Sequence, residues 1–187
     1  MISRTLITLA ILLYSPALSA QLPESAQKPV PPPSQTQPLS AVRWFVGDWI
    51  CSGIQHPSPT ALAVKFTDKF SFRMALGDSW LTYRLHQVEG PHKGQLTLIG
   101  AIDWDANARL YVRRDMNIGG SRMDMTSPGW DGGKITWTGF MITGNQKLPA
   151  THIFIRKSNT ATYNTLQITD ADGKPVAWEE GSCRKMH

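Results

Sequence analysis

The stretch VKFTDKFSFRM (64–74) decides the fold. Val64, Phe66, Phe70, Phe72 and Met74 fall on one face, with Asp68 the single polar residue among them. Lys65, Thr67, Lys69, Ser71 and Arg73 fall on the other. Side chains alternate across a strand, so this period of two predicts a β-strand with one face buried and one in water. LTYRLHQ (81–87) repeats it, with Leu81, Tyr83 and Leu85 opposite Thr82, Arg84 and His86. Further runs of strand character occupy 41–52, 96–104, 109–116, 121–127, 134–142, 151–157, 161–169 and 175–184. The breaks between them, among them EGPHKG (89–94), DANA (105–108), SPGWDGG (127–133), TGNQK (143–147) and DADGKP (170–175), carry the Gly, Pro, Asn and Asp of tight turns. No segment shows a long apolar repeat at helical spacing.

About ten short strands joined by tight loops predict an all-β protein, an antiparallel up-and-down barrel, because closure removes the edges that an open sheet must protect. A two-sheet sandwich is the alternative architecture. A barrel of this size either holds one small ligand or is filled by its own side chains.

The barrel does not need the whole chain of 187 residues. MISRTLITLAILLYSPALSA (1–20) places Arg4 before an apolar run from Leu6 to Tyr14, followed by the small residues Ala17, Ser19 and Ala20. That is the layout of a secretory signal peptide, with cleavage expected after Ser19 or Ala20. The apolar run is too short to span a bilayer core of about 30 Å, and no later segment is longer, so membrane insertion is not expected. QLPESAQKPVPPPSQTQPL (21–39) holds six of the 13 prolines and reads as a semi-rigid, Pro-rich disordered tether. Residues 40–187 are left as the barrel domain of a periplasmic or secreted protein. Its two cysteines then matter by position. Cys51 lies in the first strand and Cys183 in the last, and a closed meander makes those strands neighbours. A disulfide there would staple the seam, and such a bond persists in an oxidising compartment.

FVGDWICSG (45–53), with its Gly47-Asp48-Trp49, resembles the opening strand of the lipocalin-like, or calycin, barrels. TSPGWDGGKITWTG (126–139) and EEGSCRK (179–185) are similar to segments of a family of exported bacterial proteins with a lipocalin-like domain and no established function. The resemblance covers residues 39–187 and implies a lipocalin-like barrel with a cavity. It also implies that Trp49 packs across the closed end beneath an arginine of the last strand, for which Arg184 is the matching position. It carries over no catalytic residue.

No GxSxG, P-loop, HExxH or GxGxxG is present, so nothing makes an enzyme the default, and no cofactor is called for. Asp103-x-Asp105-x-Asn107 begins like a calcium loop but lacks the later ligands and reads as a hairpin turn, so no metal site is expected. The formal charge of +5 is dispersed, and export removes the protein from most nucleic acid, so a nucleic-acid partner is not expected either. His152 shares a face with Phe154 and Arg156. Pointing inward, it would stand where an axial haem ligand stands in the related ten-strand haem-binding barrels; a hydrogen-bonded or surface histidine is the commoner role. Met123 and Met125 share a strand face, as packing or as soft ligands. The remaining reading is a small, mostly apolar ligand held inside the barrel. Its walls would be Phe66, Phe70, Phe72, Tyr83, Met123 and Met125, and Asp68 its polar contact, partnered by Arg114 if that residue also faces in. The rival is an interaction or structural domain with a filled interior, and the choice turns on free volume.

Overall fold

A single sheet closes on itself. The computed structural model describes residues 39–58 and 62–186. A short 3-10 helix (Val42–Phe45) precedes eleven strands: β1 (Gly47–Gln55), β2 (Val64–Ala75), β3 (Trp80–Glu89), β4 (Leu96–Asp105), β5 (Leu110–Asn117), β6 (Arg122–Ser127), β7 (Trp130–Asp131), β8 (Lys134–Thr143), β9 (Gln146–Ser158), β10 (Ala161–Thr169) and β11 (Pro175–Lys185). They line up as β6-β5-β4-β3-β2-β1-β11-β10-β9-β8, each antiparallel to its neighbour, and β6 pairs with β8 to complete the ring. The two-residue β7 only extends the edge of β8. The result is the expected all-β barrel of ten strands, not a sandwich. The segments read as signal peptide and tether lie outside the described residues, except that Leu39, the last residue of the tether, is fully buried.

Two boundaries differ from the sequence reading. Residues 42–45 are not strand but a 3-10 turn that lays Val42 and Phe45 into one end of the barrel. Leu39, Val42 and Phe45 are buried at a spacing of three, the 3-10 period rather than the strand period. Strand β9 starts at Gln146, well before residue 151, and its early start is hidden in the sequence because Gln146, Lys147 and the exposed Pro149 are of turn type.

The plugged end is aromatic. Phe45 stacks on Phe72 and Trp130 and meets the edge of Phe154. Trp49 lies across this end, as the resemblance implies, and its indole Nε1–H donates to the Phe45 carbonyl at 2.7 Å. The expected arginine partner is corrected. Cys183 faces inward, so alternation turns Arg184 outward, where it is exposed. Lys185 lies over Trp49 instead, with Nζ 5.4 Å from the ring. The stacked arginine is Arg156, between Trp44 at 4.6 Å and Trp130 at 4.2 Å.

Cys51 and Cys183 stand directly opposite each other on β1 and β11 and form a disulfide. It closes a loop of sequence separation 132 across the strand pair that joins the two ends of the chain. A loop that long corresponds to about 5 kcal/mol in the chain-entropy model. The variant Cys51→Ser/Cys183→Ser is therefore expected to lose about 3–5 kcal/mol of unfolding free energy in non-reducing urea titrations. A loss below about 1 kcal/mol would show that the seam is held by its hydrogen bonds and packing alone.

Candidate functional site: a charged layer and the cup above it

Strand β5 carries charge into the interior. Tyr111, Arg113 and Asp115 alternate inward, and all three are buried. Arg113 is 4% exposed and Asp115 0%. Taking such ions out of water costs several kcal/mol each unless the geometry is good and every donor is used. Here it is used. Arg113 Nη2 pairs with Asp115 Oδ2 at 2.5 Å, and Nε donates to Asp115 Oδ1 at 3.1 Å and to the Tyr83 hydroxyl at 2.8 Å. Tyr83 in turn donates its hydroxyl proton to Asp115 Oδ1. Burial opposes the Arg113 charge, but Asp115 and Tyr83 outweigh it and hold the guanidinium above its usual range. Burial, with Asp115 adding, lifts the Tyr83 hydroxyl well above its ordinary value.

The layer depends on an absent side chain. Gly100 on β4 pairs with both Tyr83 and Asp115. A Cβ there would stand 2.3 Å from Tyr83 Cζ and 2.7 Å from Asp115 Oδ1. Only glycine leaves room for the bond between those two side chains.

His152 faces inward, 7% exposed, with Phe154 stacked on it at 4.3 Å. Arg113 Nη1 lies 3.0 Å from its Nδ1. Arginine has only donors, so Nδ1 accepts and the imidazole proton sits on Nε2. Burial, with the neighbouring guanidinium, holds its pKa well below 6.5. An iron ligand binding through Nε2 would have to give up this tautomer and the Arg113 bond. The residues around His152 therefore do not fit the haem reading. They form a packed, hydrogen-bonded floor.

Above the floor the barrel opens. The end away from the aromatic plug holds a cup of about 210 Å³, walled by Leu98, Met123, Met141, Leu166 and Ile168. Two carboxylates, Asp68 and Glu179, enter it from β2 and β11. Asp68 is 8% exposed, and its hydrogen-bond partner is Gln87, whose Nε2 donates to Oδ1 at 3.5 Å. Burial pushes Asp68 up to about 6, with the Gln87 bond opposing. Burial, then the charge of Asp68, pushes Glu179 up to about 7, and Arg113 opposes.

The residues named from sequence separate into two levels. Asp68 and Met123 line the cup. Phe70 and Phe72 line voids of about 10 Å³ in the plugged half, and Tyr83 lines one of these and backs an outer groove; Phe72 and Tyr83 are buried. Met125 is packed at 1% exposure. Phe66 lies over Gly53, its ring tip 2.7 Å from where a Cβ would stand. Arg114 faces outward and is exposed, because Arg113 and Asp115 hold the inward positions of β5. It lines a wide groove of about 720 Å³ outside β2–β5, with Arg73, Arg84 and Trp80. Asp68 accordingly has no arginine, and the internal ion pair is Arg113–Asp115. Glu179 was not singled out from sequence. Its signal was the cysteine: with Cys183 inward, Gly181 and Glu179 must face inward too. The segment read against a calcium loop is a hairpin turn, in which Asp105 Oδ1 accepts the backbone N–H groups of Asn107 and Ala108.

No family model matches this chain, and no curated protein sequence matches it. Among solved structures, that of Rv2717c from M. tuberculosis is similar with a TM-score of 0.63 at 11% identity, covering 80% of this chain and 97% of the other. A protein of unknown function from the DUF3598 family of Nostoc punctiforme PCC 73102 is matched over 82% of this chain and 99% of the other, at 8% identity, but its TM-score of 0.24 carries no weight. The first likeness is one of fold. It places the chain among ten-stranded antiparallel barrels, and neither comparison names a ligand.

The raised carboxyl groups leave a mark on stability. Asp68 binds its proton more tightly in the fold (about 6) than in the unfolded chain (3.8), so its contribution is full below 3.8 and is lost as pH rises through about 6. His152 works the other way: its folded value is depressed, so its contribution is present above 6.5 and lost as pH falls. Asp68→Asn is expected to raise unfolding free energy at pH 8 by up to about 3 kcal/mol and to change it little at pH 4. Urea titrations at the two pH values check this, and a destabilised variant at pH 8 would contradict it.

Proposed function

We infer that this is an exported barrel protein that binds one small, mostly apolar molecule in the cup. The observation that carries the reading is the cup itself. Apolar walls with a few convergent polar groups are the ordinary make-up of a small-molecule site. At about 210 Å³ the cup lies below the low end of about 300 Å³ for drug-sized ligands. The ligand is therefore compact and stands partly out of the mouth. Beneath the cup the barrel is filled, so the aromatic half supports the site without lining it.

Export rests on the signal-peptide layout of residues 1–20 and agrees with the disulfide, which suits an oxidising compartment. The resemblance to lipocalin-like exported proteins supports the same reading. Native mass spectrometry of the protein taken from the periplasm is the test. A retained small-molecule adduct is expected on the natural protein, and its loss is expected from Met123→Trp, which fills the cup. A bare protein, or an adduct equally retained by Met123→Trp, would overturn the reading.

A further inference from the structure

We propose that the ligand of the cup is an organic ammonium, an apolar body carrying one protonated amine, whose charge sits between Asp68 and Glu179. The proposal rests on the cup being a binding site and adds the class of ligand.

Its ground is an imbalance inside the barrel. Above the aromatic plug, where Arg156 and Lys185 are held against Trp44, Trp130 and Trp49, the described residues place three inward carboxylates, Asp115, Asp68 and Glu179, against one cation, Arg113. Arg113 is committed to Asp115, Tyr83 and His152. Asp68 is more than nine-tenths buried and aimed into the cup, and the long bond from Gln87 engages only its Oδ1. Among the described residues, neither Asp68 nor Glu179 forms an ion pair. The walls supply no charge to balance them: β4, β5, β6, β8 and β10 present Leu98, Asn117, Met123, Met141 and Leu166. From below, Arg113 eases the ionisation of Glu179 but does not neutralise it. A carboxylate held on an apolar surface must protonate or find a cation. A protonated amine supplies that cation and a donor for each carboxylate, while methionine and leucine walls accept its apolar body.

The test is a titration of the oxidised protein, followed by the methyl resonances of Met123 and Met141, with benzylamine, benzyl alcohol and benzoate. These probes share a ring and a size but carry a positive charge, no charge and a negative charge. At pH 8 benzylamine is expected to bind tighter than benzyl alcohol by about tenfold or more, with benzoate weakest. The preference should shrink towards pH 5, where Asp68 and Glu179 take up protons while benzylamine stays charged. In Asp68→Asn/Glu179→Gln, which removes charge without changing shape, the preference should vanish while benzyl alcohol binds as before. Equal binding of benzylamine and benzyl alcohol to the natural protein would overturn the ammonium proposal and leave the cup reading standing. So would a preference for the amine that survives in the double variant. No shift of either methyl with any probe at millimolar concentration would overturn both.

Discussion

The guanidinium of Arg113 sits in the middle of the barrel, and the rest of the interior is arranged around it. A buried cation is tolerated only where its charge and its donors are met by partners of good geometry. That requirement places Asp115 two residues along the same strand and brings the Tyr83 hydroxyl across from β3. It excludes any side chain at Gly100 and fixes His152 as a neutral acceptor. A polar layer linked in this way is rigid, because each member holds the next. It divides the barrel in two. Below it, aromatic rings fill the closed end against the 3-10 helix; above it lies the cup.

Carboxyl groups therefore do two jobs at two levels of the barrel. Asp115 is matched by a cation, two donors and complete burial, and it belongs to the scaffold. Asp68 and Glu179 have apolar neighbours, one weak donor and each other, and their proton affinity rises accordingly. Carboxyl groups with perturbed affinity in a concave site are what a binding or catalytic centre shows. Stability alone gives no reason to keep them, since a neutral isostere would be easier to bury. Their presence makes sense when the occupant of the cup brings the missing positive charge.

The fold was legible in the sequence because one signal dominated. The alternation in residues 64–74, the turn residues between strands and the two cysteines at the ends all pointed to one closed antiparallel sheet. The site was less legible, for a physical reason. Hydrophobic alternation assigns faces by polarity, and β5 places Arg113 and Asp115 inward against that rule. Phase would have found them, since both alternate with the apolar Tyr111. Phase from Cys183 likewise leads to Glu179. The wall residues chosen from β2 and β3 have the right face, but the height of a side chain along the barrel depends on strand tilt and stagger, which no single strand encodes. Asp68 and Met123 reached the cup, while Phe72, Tyr83 and Met125 went to the layers beneath it. The segment before β1 escaped for another reason: Val42 and Phe45 are as apolar as strand residues, and only their spacing of three betrays the turn.

The most direct measurement is a carbon NMR titration of the side-chain carboxyl groups in the oxidised, ligand-free protein, with Asp68→Asn and Glu179→Gln used for assignment. Because the two groups interact, they titrate as a pair. The expected result is a pair of transitions with apparent midpoints near 6 and 7, each variant removing one, and Asp68→Asn also lowering the midpoint of Glu179. Midpoints near 4 for both, the ordinary carboxylate range, would contradict it, because the cup would then already hold its charges in water or against a partner within the chain.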